Sequence, residues 1–260
     1  MEMNTKNLAG MHAVVTGGAR GIGAAITRAL LGHGARVTML GRSQGVGKNN
    51  PVAGRDHETA YVQADVCDPT TLAPALAAAR SRFGTVNILV NNAGQARSAA
   101  FLKTDAELWR SMIQVNLEGT FYCTQAVLPE MLTARWGRIV NIASTAGLMG
   151  YSYVSAYCAA KHAVIGLTRS LALELAGKGI TVNSVCPGFT ETEMLEETIN
   201  NIVAKTGRTR AEARAELEAR NPQKRLIRPD EVANAVAWLC LPGSEAITGQ
   251  AIAVAGGEVT

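Results

Sequence analysis

Cysteine is sparse in this chain and poorly arranged for a covalent or metal framework. The five cysteines, Cys67, Cys123, Cys158, Cys186 and Cys240, are odd in number and form no C-x-x-C pair, which argues against both a disulfide scaffold and a zinc site. The four histidines, His12, His33, His57 and His162, show no ligand spacing, so no metal is expected. No apolar run reaches the ~18 residues that a transmembrane helix needs, and no membrane partner is expected. The opening MEMNTKNLAG has no apolar stretch of the kind a secretory signal carries. Together these absences lead to the expectation of a reducing, cytoplasmic setting. Charge is scarce as well. Only 18% of residues are charged, against about 25% in average globular proteins, which suits a compact enzyme or one that buries surface in an oligomer. The net charge of +4 is spread out apart from one late basic cluster, whereas a nucleic-acid binder gathers it into a stripe. No nucleic acid is expected as a partner.

What the chain does have is length and apolar content. Its 260 residues, 47% of them hydrophobic, suffice for one large α/β domain. Strand and helix signals alternate. His12–Thr16, Arg36–Leu40, Ala60–Ala64, Asn87–Asn91, Arg138–Ala143, Ile180–Cys186 and Gln250–Val254 read as strands. Ile22–Leu31, Thr71–Phe83 and Tyr157–Ala176 read as helices, and Asp105–Ala134 as one long helix or two in sequence. Ser43–Thr59, rich in Gly, Asn and Pro, reads as an irregular connection. The alternation predicts an α/β fold, a single-domain Rossmann-like doubly wound parallel sheet of about seven strands with helices on both faces. No linker or repeat divides residues 1–260. Ligands of such sheets bind beyond the carboxyl ends of the strands, so candidate residues belong there.

The first strand runs into Thr16-Gly17-Gly18-Ala19-Arg20-Gly21-Ile22-Gly23 and then into a helix. Glycines allow a tight turn and close approach of backbone to a pyrophosphate, and the helix N-terminus supplies N–H donors. Gly17, Arg20, Gly21, Ile22 and Gly23 are therefore candidate dinucleotide contacts. NAD sites usually carry Asp or Glu at the end of the second strand. Here Gly41 stands there, followed by Arg42. A guanidinium fork suits a 2′-phosphate, and Arg20 could add a second positive charge, so NADP(H) is favoured and NAD(H) stays possible; both arginines could also be ordinary solvated side chains. Asp65 and Val66 follow the third strand and could meet an adenine, with Asp65 equally readable as a turn or cap residue. The small residues of Asn91-Asn92-Ala93-Gly94 would let backbone pass close to the adenosine ribose.

The fifth strand ends at Ser144, and Tyr157 and Lys161 follow inside a helix. An i, i+4 pair shares one helix face. A cation beside a phenol favours the phenolate and is expected to lower its pKa from near 10, making it a usable acid or base. Ser144 could orient the same substrate oxygen. This set meets the needs of hydride transfer, in which one group exchanges the proton on oxygen while a cofactor exchanges hydride with carbon.

With these residues assembled, the chain resembles the short-chain dehydrogenase/reductase family from Gly10 to Gly257. The motifs are TGGARGIG (Thr16–Gly23), NNAG (Asn91–Gly94), the Asn of VNLEG (Asn116), Ser144, YCAAK (Tyr157–Lys161) and PGFTET (Pro187–Thr192). The resemblance implies that Tyr157 is the acid/base, and that Lys161 lowers its pKa and binds the nicotinamide ribose. It implies that Ser144 orients substrate and that Asn116 holds a water in a proton relay. It places Asn92, Ala93, Gly94, Pro187, Gly188, Thr190 and Thr192 along the cofactor. Asn116 alone could equally be a buried helix Asn satisfying backbone groups. Two departures stand out. Many relatives have a regular helix where Ser43–Thr59 lacks one, and many read V-D-G-G where this chain has Val254-Ala255-Gly256-Gly257.

Substrate choice in that family lies largely after the sixth strand, here about residues 190–228. This segment carries Lys205, Arg208, Arg210, Arg214, Arg220, Lys224, Arg225 and Arg228 among several Glu. It reads either as a solvated amphipathic helix with i, i+4 pairs or as a basic rim for the phosphates of coenzyme A or an acyl carrier protein. The whole chain resembles β-ketoacyl carrier-protein reductases, polyketide ketoreductases and 3-hydroxyacyl-CoA dehydrogenases. The leading expectation is interconversion of a 3-oxoacyl thioester and its 3-hydroxy form. A carrier-free cyclic or aromatic alcohol/ketone dehydrogenase is the alternative, and a redox-silent dinucleotide-binding regulatory protein is a third. A homotetramer is the family expectation.

Overall fold

The computed structural model describes residues 7–45 and 52–259. Residues 1–6, and residues 46–51 of the predicted irregular connection, lie outside the described residues. The strands are β1 (His12–Thr16), β2 (Arg36–Gly41), β3 (Thr59–Gln63), β4 (Ile88–Asn91), β5 (Gly137–Ile142), β6 (Ile180–Pro187) and β7 (Ala251–Val254). They form one sheet in the order β3-β2-β1-β4-β5-β6-β7, parallel throughout. The sequence order reverses between β1 and β4, which opens a crevice at their carboxyl ends.

Strand side chains alternate between two cores, as a pleated strand requires. In β4, Ile88 and Val90 join one cluster and Leu89 the other. The first cluster is closed by α1 (Gly21–Gly32) and α8 (Pro229–Cys240), the second by α2 (Pro69–Phe83), α4 (Gly119–Ala134) and α5 (Ser155–Leu175). Helix starts follow local chemistry. Asp68 accepts from Thr70 N at 2.9 Å ahead of Pro69, and Thr209 and Glu212 form a reciprocal capping box.

Several boundaries sharpen the sequence reading. Asp105–Ala134 is two helices, α3 (Ala106–Ile113) and α4, joined by a π-helical turn, Gln114–Glu118. The described part of Ser43–Thr59 contains turns and no helix. The segment after β6 holds two helices, α6 (Glu193–Thr206) and α7 (Arg210–Arg220), with a small apolar cluster of their own. α8 was not anticipated, although Arg228-Pro229-Asp230-Glu231 is a good helix start with Pro at its first turn. No helix among the described residues is long and apolar enough to cross a membrane.

Candidate active site

The turn after β1 is stitched to the turn after β4. Thr16 Oγ1 accepts from Asn92 N at 3.0 Å and Ala93 N at 2.9 Å, and Asn92 Nδ2 donates to Thr16 O at 2.9 Å. Gly17 and Gly21 take φ of +64° and +52°, conformations that side chains with a Cβ disfavour. At Gly23 a Cβ would stand 2.6 Å from Asn92 Nδ2 and closer still to the Gly17 oxygen. The helix α1 that begins here has no side-chain cap and no acid in its first turn. Its leading N–H groups, around Gly21, Ile22 and Gly23, therefore remain for an anion, and the positive end of the helix dipole has no carboxylate to offset it. This uncapped glycine cradle fits the pyrophosphate of a dinucleotide.

The adenosine side is formed by the ends of β2 and β3. Arg42 is exposed, and its guanidinium pairs with no carboxylate among the described residues. It borders a depression with Gln63, Asp65, Thr70, Thr71 and Pro74. Arg20 instead reaches Glu193 across solvent at 3.4 Å, an exposed pair of small energetic weight. Both readings of Asp65 find support. One carboxylate oxygen accepts from Cys67 N at 2.9 Å as a turn residue, and the group also faces the depression. Val66 is buried and packs where Gly119 begins α4.

The chemical end lies at the carboxyl ends of β4, β5 and β6. Ser144 follows β5, and its Oγ accepts from Ala146 N at 3.1 Å. Tyr157 and Lys161 project from α5 toward it. Lys161 is only 4% exposed; its Nζ donates to Ile142 O at 2.8 Å and sits 5.7 Å from the Tyr157 ring centre. Burial lowers the Lys161 ammonium to about 8. The Tyr157 phenol moves the other way. Burial raises it, and the hydrogen bond with Ser144 draws it partly back. The expectation that Lys161 sets a lowered phenol pKa is thus corrected for the free protein: desolvation prevails, and the lysine is turned to a backbone carbonyl.

Asn116 lies in the π-helical turn and is buried. Its amide donates to Gln95 O at 2.9 Å and Met112 O at 3.0 Å, and its Oδ1 accepts from Gln95 N at 3.3 Å. The side chain is therefore engaged with backbone, as the structural reading of this Asn anticipated. Its main-chain carbonyl accepts from Thr120 Oγ1 at 3.2 Å. A Cβ on Gly94 would meet Asn116 Oδ1 at 2.9 Å and Lys161 Nζ at 3.6 Å, so Gly94 lets these groups close around one point.

Beyond β6, Pro187 pairs with Val254, and Gly188 N donates to Val254 O at 3.1 Å. Thr190 is buried, with its hydroxyl on Gly188 O at 2.9 Å; it shapes the turn. Thr192 caps α6 through Leu195 N at 3.4 Å and lies 3.3 Å from where a Gly21 Cβ would stand, at the mouth of the glycine cradle.

A further group beside Ser144 has no local signal in the sequence. Tyr151 Oη donates to Glu258 Oε1 at 2.7 Å and is bonded to the Thr145 hydroxyl at 2.8 Å. Tyr151 and Phe189 meet edge to face, 6.1 Å between ring centres, and the Arg220 guanidinium lies 5.6 and 5.9 Å from the two rings. The other arginines of this region are mostly paired: Arg208 with Glu216, Arg210 with Glu196, Arg214 with Glu191 and Glu218, Arg225 with Glu231. These pairs favour the solvated-helix reading of the basic cluster over a continuous basic rim.

Comparison with known proteins agrees with this geometry. The family model described as short chain dehydrogenase matches residues 11–202. The chain is 39% identical over 257 residues to the 3-oxoacyl-(acyl-carrier-protein) reductase FabG of Escherichia coli, covering 96% of this chain and 98% of that protein. It is 36% identical over 250 residues to the D-beta-hydroxybutyrate dehydrogenase of Rhizobium meliloti, covering 94% and 97%. Among solved structures, a variant of actinorhodin polyketide ketoreductase with NADPH superposes with a TM-score of 0.91 at 38% identity, covering 99% of both chains.

Proposed function

The chain belongs to the short-chain dehydrogenase/reductase family, and from that premise we propose that it interconverts the ketone of a 3-oxoacyl thioester and the corresponding secondary alcohol, with NADP(H) as its redox partner. The observation that carries the proposal is the meeting of Ser144, Tyr157 and Lys161 beside an uncapped glycine cradle. When bound, the nicotinamide exchanges a hydride with the substrate carbon. Everything else falls to the chain. Tyr157, kept protonated by its raised pKa, donates to the carbonyl oxygen in the direction of reduction. Ser144 holds that oxygen in place with a second hydrogen bond. Lys161 supplies positive charge beneath the phenol and binds ribose hydroxyls. The Asn116 main chain holds a water through which the spent phenol regains its proton. Arg42, with no carboxylate partner among the described residues, would receive the 2′-phosphate.

The lysine gives this reading a pH signature. Its charged form predominates below about 8 and is progressively lost above it. The kcat/KM for reduction is therefore expected to fall as pH rises through about 8, approaching tenfold per unit beyond. Lys161→Arg, which stays charged, should move the fall to higher pH. A flat profile from pH 7 to 10 in the parent protein would contradict the assignment.

The thioester substrate is supported by full-length similarity to a carrier-protein reductase and to a polyketide ketoreductase. Steady-state assays with acetoacetyl-CoA and a panel of carrier-free ketones, each with NADPH and NADH, test it. Turnover of the thioester with NADPH preferred is expected; no turnover of any thioester would sink the substrate reading, and preference for NADH would sink the cofactor reading. A carrier-free cyclic or aromatic ketone is the second reading. The aromatic wall of Tyr151 and Phe189 favours it, as does the ion pairing that neutralises much of the basic cluster. We further propose a cytoplasmic homotetramer; exposed apolar side chains such as Phe121, Leu173 and Trp238 support the assembly, and the molar mass in solution tests it.

A further inference from the structure

We infer that Tyr61 is a cofactor-specificity residue: it occupies the place that a carboxylate at position 41 would need and anchors the turn that presents Arg42. This rests on the NADP(H) reading above and gives it a structural cause. Gly41 is the last residue of β2, in register with Gln63 of β3. Its φ lies outside the left-handed region, so the backbone there does not call for glycine. Space does. A Cβ on Gly41 would stand 2.6 Å from Tyr61 Oη and 3.3 Å from two ring carbons. Tyr61 sits opposite Met39 and reaches diagonally along the same sheet face, the ordinary reach of a long cross-strand side chain. Its ring therefore covers the place from which Asp or Glu would bind a ribose 2′-OH.

The phenol is also tethered. Tyr61 Oη donates to Ser43 O at 2.9 Å, and two residues on, Gln63 Nε2 donates to Arg42 O at 2.8 Å. The successive carbonyls of Arg42 and Ser43 are thus held from β3, and the Arg42 guanidinium has no competing carboxylate among the described residues. Tyr61 both excludes the group that would select the unphosphorylated ribose and steadies the cation that would select the phosphorylated one.

The test is direct binding, by cofactor fluorescence, of NADPH and NADH to five proteins: the parent, Tyr61→Phe, Tyr61→Ala, Gly41→Asp and the Gly41→Asp/Tyr61→Ala pair. Tyr61→Phe keeps the ring and loses one neutral hydrogen bond, so NADPH should bind about three- to tenfold more weakly with little change for NADH. Gly41→Asp alone should weaken both cofactors, because the ring and the new side chain compete for one place. The pair should bind NADH better than the parent does and reverse the preference. An unchanged NADPH/NADH ratio in both Tyr61 variants would overturn the inference. So would a Gly41→Asp protein that prefers NADH with Tyr61 intact. If the parent itself binds NADH at least as tightly as NADPH, the cofactor reading fails, and the contrast between Gly41→Asp and the pair still decides whether Tyr61 blocks position 41.

Discussion

Tyr157→Phe is expected to cut kcat/KM for ketone reduction by about 10²- to 10⁴-fold, the usual contribution of a positioned general acid, while NADPH binds within about threefold of the parent affinity. The substitution deletes one oxygen and keeps the ring in place against α5. No neighbouring group is set to replace the proton. Lys161 donates its hydrogen bond to Ile142 O, on the strand side of the phenol. Ser144 is a hydroxyl of ordinary acidity already accepting from Ala146 N, suited to orient an oxygen and not to protonate an alkoxide. The raised pKa of Tyr157 strengthens the prediction in the reductive direction, since the phenol is present in its acid form across the working range. It also predicts an asymmetry. Alcohol oxidation needs the phenolate, so the oxidative rate of the parent should climb with pH up to about 8, beyond which loss of the Lys161 charge offsets the gain. Steady-state kinetics in both directions, with cofactor affinity measured separately, checks both points. Retained turnover in Tyr157→Phe would remove the residue from the chemistry.

How much of this could be read from the sequence depended on whether the signal was local. Strands with apolar residues on both faces, glycine turns and the Tyr-x-x-x-Lys spacing are written within a few residues of one another, and each is found at its expected place. The carboxyl-end position of Ser144, Asn92 and Gly188 followed from the strand boundaries along the chain. Features that depend on distant approach were not legible. Nothing in the neighbourhood of Tyr151 announces Glu258, 107 residues away. The π-turn at Asn116 leaves no pattern distinct from the helices around it, so one helix and two were equally readable. Gly41 was read as a missing acid; that Tyr61, on another strand, occupies the place of the acid becomes visible only once β2 and β3 are paired. The arginines after β6 were countable, but which glutamate each one meets depends on how α6 and α7 pack. The Tyr157 phenol was misjudged for a related reason: sequence spacing reports that Lys161 is near and cannot report how dry the site is.

Gly23→Ala is expected to abolish measurable NADPH binding, raising Kd by more than about 10²-fold, and to lower Tm by several degrees. One methyl group suffices because of where it would sit. The added Cβ would lie 2.6 Å from Asn92 Nδ2 and 2.8 Å from the Gly17 carbonyl carbon, and the carbonyl is backbone that cannot rotate aside. The first turn of α1 must move outward. That shift pulls on the Asn92 bonds to Thr16 O and Gly17 O, at 2.9 and 3.3 Å, which join the turn after β1 to the turn after β4. Overpacking of this kind costs about 1–3 kcal/mol, or roughly 2–4 °C per kcal/mol for a domain of this size. The loss of binding is larger than the loss of stability because the displaced groups are the ligand's own donors: amides aimed at a pyrophosphate lose it when they move by an ångström. The other end of the same helix supplies the control. Gly32 closes α1, and a Cβ there would meet nothing within 4 Å. Gly32→Ala should therefore leave cofactor affinity unchanged and hold or raise Tm by the helix preference of alanine over glycine, up to about 1 kcal/mol. If the two variants lost cofactor equally, propensity or a general loosening of α1 would be responsible; if Gly23→Ala bound NADPH as the parent does, the cradle would not be where the cofactor's phosphates lie.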